Sequence, residues 1–138
     1  MIAYIDTSAL LRLVLRERGA LDDLRSYESL ISSELIAVES ARTIDRLRLQ
    51  GALTVEEAAA RRRAISEWLE AVDLVLLRPA VLQRASEPMP TALGTLDAIH
   101  LATALIWRER IGELPAIVTH DNALGLAAES FGFDVIGL

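Results

Sequence analysis

Four of the twenty acids in this 138-residue chain, Asp6, Glu39, Asp97 and Asp121, occupy positions where a carboxylate calls for an explanation. Asp6 directly follows the apolar run Ile2 to Ile5, and Asp121 follows Ala116 to Thr119 by two residues, each just ahead of a helical pattern. Asp97 lies in the first turn of a segment that otherwise presents Leu96, Ala98, Ile99, Leu101, Ala102, Ala104, Leu105 and Ile106, and Glu39 interrupts Leu35-Ile36-Ala37-Val38. Each has an ordinary reading. A carboxylate after a strand can cap the next helix, one in a first turn can favour the helix dipole, and Glu39 can pair with Arg42. An acid inside an apolar helix start nevertheless needs a cationic partner or a metal. Several carboxylates brought together repel one another and raise one another's pKa unless a cation neutralises them. Oxygen donors of this kind suit Mg²⁺ or Mn²⁺. Such an ion activates water for phosphodiester hydrolysis, and one acid can help to deprotonate that water.

The elements that must position these acids follow from periodicity and punctuation. Ile2 to Ile5 reads as a buried strand. Thr7 or Ser8 caps a helix through Arg16, and Gly19 stops it. A short helix around Leu21 to Tyr27 precedes a strand at Leu30 to Ser32, and Ser32 or Ser33 caps a helix from Glu34 to Gln50 that Gly51 closes. Glu34, near that start, reads as a capping or surface acid. Thr54-Val55-Glu56-Glu57 is a capping box that opens a helix to about Ala71, so the two helices should pair as a hairpin. Val72 to Leu77 is a third strand, Ala80 to Ser86 a short helix and Pro88 to Thr91 a loop. Thr95 caps a largely buried helix from Leu96 to about Arg110. Ala116 to Thr119 is the fourth strand, Asn122 to Phe131 a helix ended by Gly132, and Asp134 to Ile136 the fifth strand. This alternation predicts an α/β domain spanning 1–138, with a parallel sheet of about five strands covered by helices on both faces. Ligands of such sheets bind beyond the carboxyl ends of the strands, where the strand order reverses. Asp6 and Asp121 stand at two such ends.

Composition narrows the chemistry. A hydrophobic fraction of 52% supports one sizeable core, and no run approaches the roughly 18 apolar residues of a membrane span. Without the pattern of a secretion signal the expected location is cytoplasmic. There is no cysteine, so any metal must sit on oxygen or histidine. The net charge of -6 argues mildly against an electrostatic nucleic-acid binder, yet the first 63 residues are charge-balanced and the excess acid lies beyond them. All fourteen basic residues are arginines, of which Arg12, Arg16 and Arg42 are the best placed for phosphate contact. Arg61-Arg62-Arg63 reads as a solvated face, His100 as structural, His120 as a candidate substrate contact, and Leu11, Val14 and Leu15 as core.

Four segments in this order, Ile5-Asp6-Thr7-Ser8-Ala9-Leu10-Leu11, Val38-Glu39-Ser40-Ala41-Arg42, Leu96-Asp97-Ala98-Ile99-His100-Leu101-Ala102-Thr103-Ala104 and Val118-Thr119-His120-Asp121-Asn122 followed by Gly132-Phe133, together resemble the PIN-domain nucleases. Within that family the chain is similar to the VapC-like toxins of toxin–antitoxin pairs. The resemblance implies a three-layer α/β/α fold, Mg²⁺-dependent cleavage of RNA, inhibition by a cognate antitoxin, and a homodimer. It also implies that Asp6 and Asp97 are the principal metal ligands, that Glu39 completes the acidic cluster, and that Asp121 binds the ion directly or through water. Thr7 and Thr119 would orient the carboxylates. Two alternatives stay open. One is a catalytically silent binding module of the same fold. The other is an aspartate-based phosphatase or receiver domain; Ser8 at its usual second acid position disfavours the phosphatase, and the absence of lysine disfavours both.

Overall fold

β1 (Ile2–Ile5) lies at the centre of a sheet of five parallel strands in the order β3-β2-β1-β4-β5, with β2 at Ser29–Ser33, β3 at Val72–Val75, β4 at Ala116–Val118 and β5 at Val135–Ile136. The computed structural model describes residues 1–20, 22–113 and 115–138, of Asp22 the backbone alone. Leu21, where the sequence places the start of a short helix, lies outside the described residues; a 3-10 helix runs over Asp22–Ser26.

Strand alternation assigns the two cores. Along β1, Ala3 and Ile5 point into one layer and Tyr4 into the other, and Leu30 and Ile31 on β2 divide in the same way. The first layer packs α1 (Thr7–Val14), α2 (Leu35–Leu49) and α3 (Val55–Glu70) against the sheet through Leu10, Ile36, Ile44 and Ile65. The second holds α5 (Thr95–Ile111) and α6 (Asn122–Ser130), through Leu101, Leu105, Leu124 and Ala128. A short α4 (Pro79–Ala85) packs on α5. The result is a three-layer α/β/α architecture with a sheet covered on both faces.

α2 and α3 form the expected hairpin, with Gly51 in the left-handed region at φ +78°. Thr54 and Glu57 make the full capping box. β3 stops at Val75, two residues earlier than the sequence indicates, because it is an edge strand and Leu76 and Leu77 turn away from the ladder. The Leu77 amide there donates to Glu34 Oε2 at 2.8 Å. Glu34 therefore neither caps α2 through its side chain nor floats free; it ties the end of β3 to the start of α2. Strand order runs outward from β1 in both directions, so the crevice between β1 and β4 is the point at which it reverses.

Candidate active site

Asp6 closes β1 and is itself the N-cap of α1, in place of the expected Thr7 or Ser8. Its Oδ1 accepts from the Ala9 amide at 3.0 Å and from Ser8 Oγ at 2.7 Å, and its Oδ2 accepts from Thr119 Oγ1 at 2.6 Å. The side chain is buried, 3% exposed. Burial raises its pKa above the ordinary range, although the bonds from Thr119, Ser8 and Ala9 all pull the other way. The same small hydroxyls bind the end of β4: Ser8 Oγ accepts from the His120 amide at 2.9 Å, and Thr119 Oγ1 from the Asp121 amide at 3.0 Å. Asp121 then caps α6 through the Leu124 amide at 2.9 Å. Capping and site membership thus coincide at Asp6 and Asp121, because a helix that starts at a strand end aims its cap residue into the crevice.

The other two acids arrive from opposite layers. α5 begins at Gly94, which offers no side-chain cap, so Thr95 is helical and Asp97 sits in the first turn. Partial burial, followed by the charges of Asp121 and Asp6, pushes the Asp97 pKa up to about 6; Glu39 adds to this and the charge of His100 opposes it. Glu39, on α2, has its Oε1 bonded by Thr7 Oγ1 at 2.7 Å and by His100 Nε2 at 2.6 Å. Burial alone would raise the Glu39 pKa, but the bond and charge of His100 together with the Thr7 hydroxyl bring it below the ordinary range.

All four acids line one hollow of about 240 Å³, together with Thr7, Ser8, Leu11, Thr43 and His100. A larger hollow of 510 Å³ between α4 and α5 is walled by Leu82, Met89, Leu93 and Ile99 and holds a single ionisable residue, Glu87. Chemistry, rather than size, singles out the smaller one. Among the described residues no arginine pairs with Asp6, Glu39, Asp97 or Asp121, and the nitrogen that bonds one of them is the imidazole Nε2 of His100, on Glu39. The donor set, four carboxylates from four separate segments, fits a hard divalent cation in kind. The acids border the hollow without closing into a cage: among the described residues no three Asp, Glu or His side chains are gathered tightly enough to hold an ion unaided.

Several other residues take places that the sequence does not assign them. His100, read as structural, is indeed buried but also lines the hollow; its position one turn after Asp97 was the available signal. Ser8 contributes the hydroxyl that joins the two strand ends. His120 lines the neighbouring hollow with Arg12, and its Nδ1 bonds the Gly137 carbonyl at 2.7 Å. Gly137 has φ +107°, and a Cβ there would lie 2.6 Å from the Thr119 carbonyl, so only glycine lets the chain pass this close. Arg42 bonds Asp45 at 3.1 Å and Arg62 approaches the same acid at 3.6 Å.

Residues 3–129 match the PIN domain family. The chain belongs to that family. Ribonuclease VapC46 of Mycobacterium tuberculosis is 33% identical over 138 residues, an alignment covering 96% of this chain and 95% of that protein. Among solved structures, a toxin–antitoxin complex from Klebsiella pneumoniae superposes with a TM-score of 0.60 at 17% identity, covering 86% of each chain. VapBC2 from Rickettsia felis, solved bound to a DNA fragment from its promoter, superposes with a TM-score of 0.68 at 9% identity, covering 98% of this chain and 97% of that one. At these identities the two structures speak for the PIN fold alone. The acid hollow lies in that fold at the β1/β4 crevice, where open parallel sheets bind their ligands.

Proposed function

We propose that this PIN-domain protein is a metal-dependent endoribonuclease, the toxin of a toxin–antitoxin pair, which hydrolyses RNA phosphodiester bonds at the acid hollow. The observation that carries the reading is the meeting of four carboxylates with no arginine among them, in a chain related over its length to a VapC ribonuclease. Asp6, Asp97 and Asp121 would hold Mg²⁺ or Mn²⁺, and Glu39 would complete the catalytic set. A divalent ion bound there supplies positive charge that lowers the pKa of water and offsets charge on phosphate oxygens.

The chain's own residues do the positioning. Thr119 and Ser8 hold Asp6 from both oxygens, so its orientation is set before any ligand arrives. Thr7 holds Glu39 through Oε1, and among the described residues Oε2 is unclaimed. Arg12, in the adjoining hollow and 3.8 Å from Glu17, would meet a phosphate of the RNA strand, whereas His120, with Nδ1 on the Gly137 carbonyl and Nε2 buried, serves the packing of the chain end. A cognate antitoxin, a homodimer and a cytoplasmic setting complete the proposal. Among the described residues no helix is long and apolar enough to cross a membrane.

The test is cleavage of RNA by the purified protein in Mg²⁺ or Mn²⁺, then in EDTA. Cleavage should require the metal and should disappear in Asp6→Asn and Asp97→Asn proteins that remain folded. Folded parent protein that cleaves no RNA in either metal would overturn the reading in favour of a binding module.

A further inference from the structure

We propose that His100 is a positioning residue for Glu39, the last link in a one-way series of hydrogen bonds from the Ser33 amide through the Tyr4 hydroxyl and the imidazole to the carboxylate. The inference rests on the nuclease reading of the hollow.

The direction of the series follows from what each group can do. A carboxylate only accepts, so His100 Nε2, 2.6 Å from Glu39 Oε1, must carry a hydrogen. In the neutral ring Nδ1 is then an acceptor, and Tyr4 Oη, 2.7 Å away, donates to it. The tyrosine oxygen in turn accepts from the Ser33 amide at 3.2 Å, a group that can only donate. With the ring neutral, every bond of the series therefore runs in one direction, and Thr7 Oγ1 adds a second donor to the same carboxylate oxygen at 2.7 Å. The two rings stand edge to face, with centroids 5.9 Å apart at 77°.

Packing alone does not account for this arrangement. Tyr4 is 1% exposed and His100 is 2% exposed, so both polar groups were taken out of water, which is unfavourable unless each finds a partner. An apolar pair of similar volume would fill the space without that requirement. What the polar pair adds is a grip on Glu39 across the end of the sheet. Tyr4 and the helix bearing His100 belong to the layer of α5 and α6, whereas Glu39 projects from α2 in the opposite layer. The bond spans the crevice that the acids line.

The experiment compares E39Q, H100L, H100Q and Y4F by steady-state RNA cleavage in Mg²⁺, with the ring tautomer of His100 read by ¹⁵N NMR in the metal-free parent at pH 8. H100L should lose kcat by about 10–100-fold with KM within about threefold, as for other residues that orient a site carboxylate. H100Q should recover most of the rate, since its amide nitrogen stands in for Nε2, and the parent should show the Nε2–H tautomer. H100L cleaving at the parent rate while E39Q is inactive overturns this inference and leaves the nuclease reading intact. E39Q cleaving at the parent rate overturns the role of Glu39 and this inference with it. Should H100L fail to fold, the tautomer decides: an Nδ1–H ring in the parent overturns the proposal.

Discussion

Asp45 and Asp97 show how differently one molecule can treat the same side chain. On the outer face of α2, Asp45 is bonded by Arg48 at 2.9 Å and Arg42 at 3.1 Å, with Arg62 of α3 at 3.6 Å. The bond from Arg48, joined by the charges of Arg48, Arg42 and Arg62, holds its pKa below the ordinary range against the opposing effect of burial. Asp97 meets the reverse: partial burial and the charges of Asp121, Asp6 and Glu39 push it up to about 6. Arginine is plentiful on the first face, and among the described residues none pairs with an acid of the second. Local neutrality is thus built into the α2–α3 face, whereas in the hollow burial, joined at Asp97 by like charge, pushes Asp6 and Asp97 toward their neutral forms.

The strongest way to break this contrast is to remove an acid from the hollow. Asp6→Asn and Asp97→Asn should each lower RNA cleavage in Mg²⁺ by at least about a hundredfold with unchanged circular dichroism. Cleavage at the parent rate in both would mean that the hollow is not the reaction centre. Thr119→Val should lower cleavage by about 10–100-fold and raise the Mg²⁺ concentration needed for it, because Asp6 Oδ2 and the Asp121 amide both lose their partner. It should also cost about 1–3 kcal/mol in chemical denaturation, since Thr119 is fully buried.

A smaller effect of opposite sign sharpens the contrast. The Asp97 carboxyl binds its proton more tightly folded, at about 6, than at its ordinary 3.8. An acid raised in this way makes the metal-free protein lose stability as the pH climbs from about 4 through about 6, and the loss is complete above that window. Asp97→Asn should therefore be more stable than the metal-free parent at pH 7.5, by about 1 kcal/mol once solvent screening of this half-exposed group is allowed for, and equal to it near pH 4. Adding Mg²⁺ should reverse the order at pH 7.5, since only the parent keeps the full ligand set. A thermal midpoint for Asp97→Asn well below that of the metal-free parent would show instead that Asp97 is engaged in a structural ion pair. The smallest effect is expected on the other face, where Arg62→Ala should leave cleavage within about twofold and scarcely move the thermal midpoint. A large loss of cleavage there would show that the two regions are coupled.

Much of this is legible along the chain, and the failures are local. Hydrophobic period and punctuation mark every strand, the α2–α3 hairpin and the buried α5, because those signals depend on residues close in sequence. The caps are less legible: Asp6 competes with Thr7 and Ser8 for the start of α1, and Gly94 displaces Thr95 at the start of α5. Several adjacent residues could serve at each end, and the choice turns on how the preceding strand or loop delivers the chain. β3 is overextended for a related reason, since nothing in Val72 to Leu77 tells that the strand lies at the sheet edge. Arg42 is read as a phosphate contact because Asp45, three residues on, competes for it only once the helix face is known.

By itself the sequence determined the element types, the α/β class and the candidacy of Asp6, Glu39, Asp97 and Asp121, since propensity, period and carboxylate chemistry are properties of short segments. The tertiary structure alone decided that these acids share one hollow, that Ser8 and Thr119 join two strand ends around Asp6, and that His100 grips Glu39 from the far layer. Those contacts link residues 61 to 113 positions apart, and only the strand order β3-β2-β1-β4-β5 brings such partners within hydrogen-bonding distance.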